Sequence, residues 1–367
     1  MSLWLQGRRF PPPGLARAVL RMRERLHRLA DALVPAELVA AEKALGVATT
    51  LAIGVAARAR LADALAGGPK SSAALATATG LNPDALERTL RALCSIGVFA
   101  RLRDGRYRNT RISAALRSEV RGSISSFAQY MASASNLAAW SDFDQTVRTG
   151  QNAFERVHGT SVWNHFAQHD NERALFAAAM TSLTDLAAPA LARAYPWHEV
   201  SKVCDVGGGR GHLLAAILAA HPHLRGVLVD EPGVIALARP FLEAAGVLGR
   251  VELVEGSFFE AVPRGADAYL LKDILHDWDD ARSHTVLANC RAAMTAGGRV
   301  LVCEVLVEPE TTTGPGPWAD LQMMTVACEG RQRSRAELFA LLGRSGFTPG
   351  RLFETAALTS IVEGLAR

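Results

Sequence analysis

The chain has 367 residues, of which 49% are hydrophobic and 21% charged; this balance excludes a disordered chain, and the length suffices for two domains with real cores. A net charge of +4 and a pI near 8.9 are too weakly basic to imply nucleic acid by themselves. The five cysteines, Cys94, Cys204, Cys290, Cys303 and Cys328, show no C-x-x-C spacing and sit mostly in apolar runs. They read as free buried thiols in a reducing cytoplasm, not as bridges or zinc ligands.

Residues 1–35 form a helical arm. Arg8-Arg9-Phe10 matches the start of a twin-arginine export signal, but Pro11-Pro12-Pro13 and an arginine-studded helix follow where an apolar segment is required, so export is not expected. Leu15, Val19, Met22, Leu26, Leu29 and Leu33 recur every three or four residues and make one apolar seam, with Arg17, Arg21, Arg23, Arg25 and Arg28 on the other faces. Such a seam calls for a partner: its own chain, a second subunit or a membrane surface. The apolar run from Leu45 to Ala57 is too short to span a bilayer and stops at Arg58 and Arg60, so no membrane span is predicted.

Residues 36–118 read as a winged helix, three helices and a hairpin. Asn82-Pro83 is a helix start, a cap followed by proline at the first helical position, and Leu86, Leu90 and Leu93 share one face until Gly97. The wing is Val98–Leu102, a turn at Asp104-Gly105, and Arg106–Arg108. Arg88 and Arg91 on the last helix, with Arg101, Arg103, Arg106 and Arg108 on the wing, would allow DNA binding. The modest net charge and the cofactor-type domain that follows favour a module for folding or dimerisation.

The catalytic part is expected over 119–367. Residues 119–197 look helical throughout, with breaks at Thr149-Gly150 and His158-Gly159. From 198 the pattern alternates strand with helix, with strands at Lys202–Val206, Gly226–Asp230, Val251–Val254, Ala268–Leu271 and Arg299–Val305. This is the signature of an α/β fold with a doubly wound, mostly parallel, Rossmann-like sheet. Runs at Arg351–Glu354 and Ala357–Glu363 suit an antiparallel hairpin at its edge.

After the first of these strands comes Asp205-Val-Gly-Gly-Gly-Arg-Gly211. Glycine accepts positive φ and lacks a Cβ, so Gly207, Gly208, Gly209 and Gly211 permit a tight strand-to-helix turn and close approach of a ligand. Asp230 ends the next strand, where a ribose-binding carboxylate belongs. His212 occupies the place of the dinucleotide fingerprint's third glycine. The Gly-x-Gly-x-Gly spacing after Asp205 instead fits S-adenosyl-L-methionine, with NAD-type binding and a merely structural turn as alternatives.

Ligands in such sheets bind beyond the carboxyl ends of the strands. Ser257 and Phe258 follow the third strand and could hold an adenine edge and face. The fourth ends in Leu271-Lys-Asp-Ile-Leu-His-Asp-Trp-Asp-Asp280, where His276 could take a proton from a substrate hydroxyl. Glu304, at the end of the fifth strand, could fix its tautomer. Asp277, Asp279 and Asp280 could hold a divalent metal, but Asp279 or Asp280 is better explained as a helix cap, and no metal is assigned.

With these residues placed, the chain resembles the plant-type and bacterial secondary-metabolite S-adenosylmethionine-dependent O-methyltransferases, from about Ala40 to the C-terminus. The resemblance is carried by Asp205 to Gly211, Val229-Asp-Glu-Pro232, Gly256-Ser-Phe-Phe259, Leu271-Lys-x-x-Leu-His-Asp-Trp-Asp279 and Gly330-Arg-Gln-Arg-Ser334. It implies methyl transfer to a hydroxyl of a small aromatic or polyketide-type molecule, S-adenosyl-L-homocysteine as product, and a homodimer built through the N-terminal domain. It further implies that Gly207 touches the methionine part of the cofactor, Asp230 the ribose, Ser257 and Phe258 the adenine, with Lys272 alongside. His276 is the implied base, oriented by Glu304 and by the residue at 332, and Phe176, Met180 and Met323 would line the acceptor pocket. The chain departs from the pattern at Ser257, where an aspartate is common, and at Gln332, where a second acid is usual and which Glu329 would have to replace. Two other classes remain to be separated: a winged-helix regulator with a degenerate cofactor domain, and a non-methylating enzyme, such as a hydroxylase, on the same fold.

Overall fold

The computed structural model describes residues 11–327 and 329–366. Arg8-Arg9-Phe10 and Cys328 therefore lie outside the described residues. The chain divides into two compact units that do not follow the linear boundaries expected above. One comprises Leu26–Ala138 and His165–Leu183, the other Ala139–Asn164, Thr184–Arg367 and the described part of Met1–Arg25. The helical segment thus contributes to both.

In the first unit, helices Gly46–Arg58, Ser72–Thr79 and Pro83–Ser95 precede a two-stranded wing, β1 (Phe99–Arg101) and β2 (Tyr107–Asn109). Asn82 Oδ1 accepts the main-chain N–H groups of Asp84 (3.1 Å) and Ala85 (3.0 Å), the cap that starts the last helix. Leu86, Leu90 and Leu93 are buried with Leu61, Leu75, Phe99 and Tyr107. Gly97, at φ +75°, turns the chain into the wing. On helix Pro13–Asp31 the expected seam stays in solvent, Leu15, Met22, Leu26 and Leu29 each being more than half exposed. Among the described residues, packing within the chain does not cover it.

The second unit holds seven strands: β3 (Lys202–Val206), β4 (Arg225–Asp230), β5 (Val251–Glu255), β6 (Ala268–Lys272), β7 (Arg299–Val305), β8 (Phe347–Phe353) and β9 (Thr359–Ala366), in the order β5-β4-β3-β6-β7-β9-β8. The first five are parallel, and β9 returns antiparallel between β7 and the edge strand β8. Because side chains alternate along a strand, Val203, Leu228, Leu270 and Leu301 pack on one face against helices His212–Ala220 and Pro232–Ala244. Cys204, Val229, Tyr269 and Val302 pack on the other against Asp280–Ala293 and Arg335–Arg344. The order reverses direction at β3, so the carboxyl ends of β3, β4 and β6 frame a crevice.

Helix Asp170–Ala194 is long and apolar enough, by length and composition, to cross a membrane, which the sequence reading did not foresee. Within the sheet unit its Ala187, Ala188, Leu191 and Ala192 are core residues, as in a core helix of a globular domain.

Candidate cofactor and catalytic site

The turn after β3 is shaped by three left-handed glycines, Gly207 (φ +65°), Gly209 (+60°) and Gly211 (+81°), a conformation that side chains disfavour. Gly207 N–H bonds to Val229 O (2.9 Å) and Gly211 N–H to Gly208 O (3.0 Å). A Cβ on Gly207 would fall 2.6 Å from Ile274 Cδ1 and 3.3 Å from Phe258 Cε1, so this glycine keeps a narrow gap between those side chains open. Asp205 lies buried beneath the turn with Oδ2 unpartnered. Burial, then the nearby Asp230 charge, pushes its carboxyl up to about 7.

At the end of β4, Asp230 accepts Gly209 N–H on Oδ2 (2.8 Å) and Glu231 N–H on Oδ1 (2.8 Å). Burial raises its pKa while these two donors oppose the shift, and each oxygen keeps a lone pair for a ligand. Ser257 Oγ accepts Phe259 N–H (3.3 Å), and Asn289 fixes the same loop through Phe258 O (2.9 Å) and Phe259 O (3.0 Å). Lys272 ends β6 bonded to its neighbour Asp273, whose backbone is left-handed at φ +52°. A tight turn, a half-buried carboxylate one strand over and an aromatic, Phe258, in the loop after β5 fit a nucleoside-bearing ligand.

His276 stands in a short 3₁₀ turn, Leu275–Asp277, just past β6. Its Nδ1 is 3.0 Å from Gln332 Nε2 and its Nε2 is 3.6 Å from Asp277 Oδ1. Glu304, expected at the ring, is found elsewhere: its Oε1 accepts the main-chain N–H of His276 (3.0 Å), and Oε2 has no hydrogen-bond partner. The reason is geometric, because β7 carries Glu304 beside the backbone of the turn while the 330–334 loop reaches the imidazole. Burial lowers the pKa of His276, but the charges of Asp277, Asp273 and Glu304 outweigh it and hold the ring above its ordinary value. Burial raises Asp277 to about 7 and also raises Glu304. Glu329 is exposed, at φ +58°, and the carboxylates acting on His276 are the three just named.

Gln332 Oε1 is buried without a donor. Turning the amide over sets Gln332 Oε1 against His276 Nδ1–H and leaves the lone pair of His276 Nε2 free to accept a proton.

Several residues that hold this arrangement escaped the sequence reading. Arg331 N–H bonds His276 O (2.8 Å), and Gly330 permits it, since a Cβ there would meet that oxygen at 2.5 Å. Asp320 Oδ1 accepts Gln332 N–H (2.7 Å). The buried Arg333 donates to Leu275 O (2.7 Å), Trp278 O (2.8 Å) and Asp280 Oδ1 (2.9 Å), clamping the turn from below. The Gly-Arg-Gln-Arg run was the available signal. Of the three aspartates weighed for metal, Asp279 caps helix Asp280–Ala293 through Arg282 N–H (2.7 Å), and Asp280 pairs with Arg333 and Arg344.

The proposed acceptor-lining residues are half-buried and fall in different units. Phe176 and Met180 lie in the first, where Phe176 stacks on Phe166 (4.8 Å between centroids) and meets Tyr130 edge-on (5.4 Å). Met323 lies in the second, on helix Gly316–Val326.

Residues 140–348 match the O-methyltransferase domain family, and residues 41–119 match the O-methyltransferase dimerisation domain. The phenazine O-methyltransferase of Lysobacter antibioticus is 38% identical over 330 residues, covering 90% of this chain and 96% of that protein. The 8-amino-8-demethylriboflavin N,N-dimethyltransferase of Streptomyces davaonensis is 36% identical over 295 residues, covering 79% of this chain and 84% of that protein. Among solved structures, the neocarzinostatin-biosynthesis O-methyltransferase in complex with S-adenosylmethionine and 2-hydroxy-5-methyl naphthoic acid aligns with a TM-score of 0.74 at 34% identity, covering 87% of this chain and 96% of that one. The chain belongs to the S-adenosylmethionine-dependent O-methyltransferase family, and S-adenosyl-L-methionine is its cofactor.

Proposed function

We propose that the protein methylates a hydroxyl of a small aromatic secondary metabolite, with His276 as the general base. The observation that carries this reading is the setting of the imidazole beyond β6, with Gln332 on Nδ1, carboxylates around it and its main chain gripped by Glu304 and Arg331. S-adenosylmethionine, when bound, supplies an activated methyl group. The chain's own residues then have two tasks. Gly207, Asp230, Ser257, Phe258 and Lys272 hold and orient the cofactor, while Phe176, Met180 and Met323 offer apolar surface to a flat acceptor. Nε2 of His276 removes the hydroxyl proton, and the imidazolium that forms is stabilised by Asp277, Asp273 and Glu304. Gln332 orients the ring without adding charge. Positioning accounts for most of the acceleration, with the base adding a factor on the order of 10²–10⁴.

The same relatives include an N-methylating enzyme, so the decisive panel pairs phenols with the matching aromatic amines. Incubation with labelled S-adenosylmethionine and mass spectrometry should find the methyl on oxygen, and methyl on nitrogen alone would overturn the reading. His276→Ala should lower turnover by about 10²–10⁴ with adenosylhomocysteine affinity unchanged; full turnover in this variant removes His276 from the mechanism. A homodimer is part of the same reading, supported by the match of residues 41–119 to the O-methyltransferase dimerisation domain and, outside that span, by the exposed apolar face of helix Pro13–Asp31.

A further inference from the structure

Beside the glycine turn stands a pair that neither the cofactor reading nor the base uses. His212 opens helix His212–Ala220, directly after Gly211. Its Nδ1 is 2.6 Å from Asp185 Oδ1, on helix Asp170–Ala194. The ring also lies flat on Phe241 of helix Pro232–Ala244, with centroids 3.7 Å apart and planes at 13°. Arg210, inside the turn, sets its guanidinium 5.9 Å from the centroid of the same Phe241 ring. His212 Nε2 is buried with no hydrogen-bond partner, so one strong bond and one stack fix the ring.

This placement has a mechanical meaning. A turn with three left-handed glycines gains its shape from residues that lose the most freedom on ordering, so something outside it must hold it in the conformation that receives a ligand. Inside the strand–turn–helix–strand unit the restraints are main-chain bonds at Gly207, Gly208 and Gly211 and the Asp230 carboxylate at Gly209. At the exit the first side chain that can be gripped is His212, and it is gripped by a helix from outside that unit.

We propose that Asp185 is a positioning residue for the cofactor: by holding His212 it presets the glycine turn, and so raises affinity for S-adenosylmethionine and S-adenosylhomocysteine without entering the methyl transfer. The proposal uses the cofactor only and stands whether the acceptor atom is oxygen or nitrogen.

The test is calorimetric titration of the full-length protein with adenosylhomocysteine, together with steady-state kinetics in which S-adenosylmethionine is varied at a fixed, saturating concentration of the acceptor found in the panel above. Asp185→Ala should weaken adenosylhomocysteine binding by roughly tenfold, the scale of a lost charge-assisted hydrogen bond, and raise KM for the cofactor in parallel while kcat changes less than twofold. Asp185→Asn, which keeps an oxygen for Nδ1–H, should recover most of the affinity. Tyr195→Phe, which removes a 2.7 Å bond to Glu363 outside the turn, serves as a control for general destabilisation and should bind as the parent does. Unchanged affinity in Asp185→Ala overturns the proposal. So does a fall in kcat with affinity intact, or an equal loss in Tyr195→Phe at matched thermal stability.

Discussion

Gly330→Ala tests how finely His276 is placed, because it alters neither the base nor any group that touches it. A Cβ at 330 would sit 2.5 Å from His276 O, 3.0 Å from Ala327 Cβ and 3.2 Å from Asp277 C. Ordinary contact begins at 3.4 Å, so the loop and the 3₁₀ turn must part by about 0.9 Å. Two of the three obstructing atoms are main-chain, which leaves no flexible side chain to yield. The separation stretches the 2.8 Å bond from Arg331 N–H to His276 O and carries Gln332 away from Nδ1. Overpacking of this kind costs about 1–3 kcal/mol of stability. A misplacement near 1 Å costs on the order of 10² in rate. Thermal unfolding should therefore show a modest loss, and single-turnover methyl transfer should slow by about 10²-fold with adenosylhomocysteine affinity preserved. Slowing below threefold in a variant that has lost the expected stability would refute the idea that the 330–334 loop positions the base.

The remaining predictions concern protons. His276 must be neutral to act and its pKa is held above the ordinary 6.5, so kcat should rise with pH through a midpoint above that value; a midpoint below it contradicts the electrostatic argument. Gln332→Glu adds a carboxylate at the 3.0 Å contact with Nδ1 and should move that limb up by about one pH unit or more, whereas an unmoved limb would separate residue 332 from the base. Asp205 binds its proton more tightly folded, at about 7 against an ordinary 3.8. Its stabilising share is thus complete below the unfolded value and lost as pH climbs through the folded one. Asp205→Asn, which cannot ionise, should lose less melting temperature than the parent between pH 5 and 8, and equal losses would show that Asp205 is not the group responsible.

How much of this was legible in the sequence depended on how far each interaction reaches along the chain. Asn82-Pro83 announced a cap because the donors it satisfies are two and three residues away. The Gly-x-Gly-x-Gly spacing announced a turn because positive φ is a local demand, met at each of Gly207, Gly209 and Gly211. Strands β3 and β7 fell on the expected residues because buried parallel strands read as short apolar runs. The arrangement around His276 is of another kind. Which acid faces which atom depends on how β7 and the 330–334 loop, 28 and 56 residues further on, approach one short turn. Identical carboxylates at Asp277 and Glu304 end up on the ring and on the backbone for reasons of direction alone. The Asp185–His212 pair is harder still, because it joins an isolated acid in an alanine-rich helix to a histidine that the motif presented only as an absent glycine. Sequence patterns therefore identify where a site lies when its ligand is met by backbone, and they identify side-chain partners only when those partners share an element; His276 shares its turn with Asp277, whereas Gln332, Glu304 and Arg333 reach it from other parts of the chain.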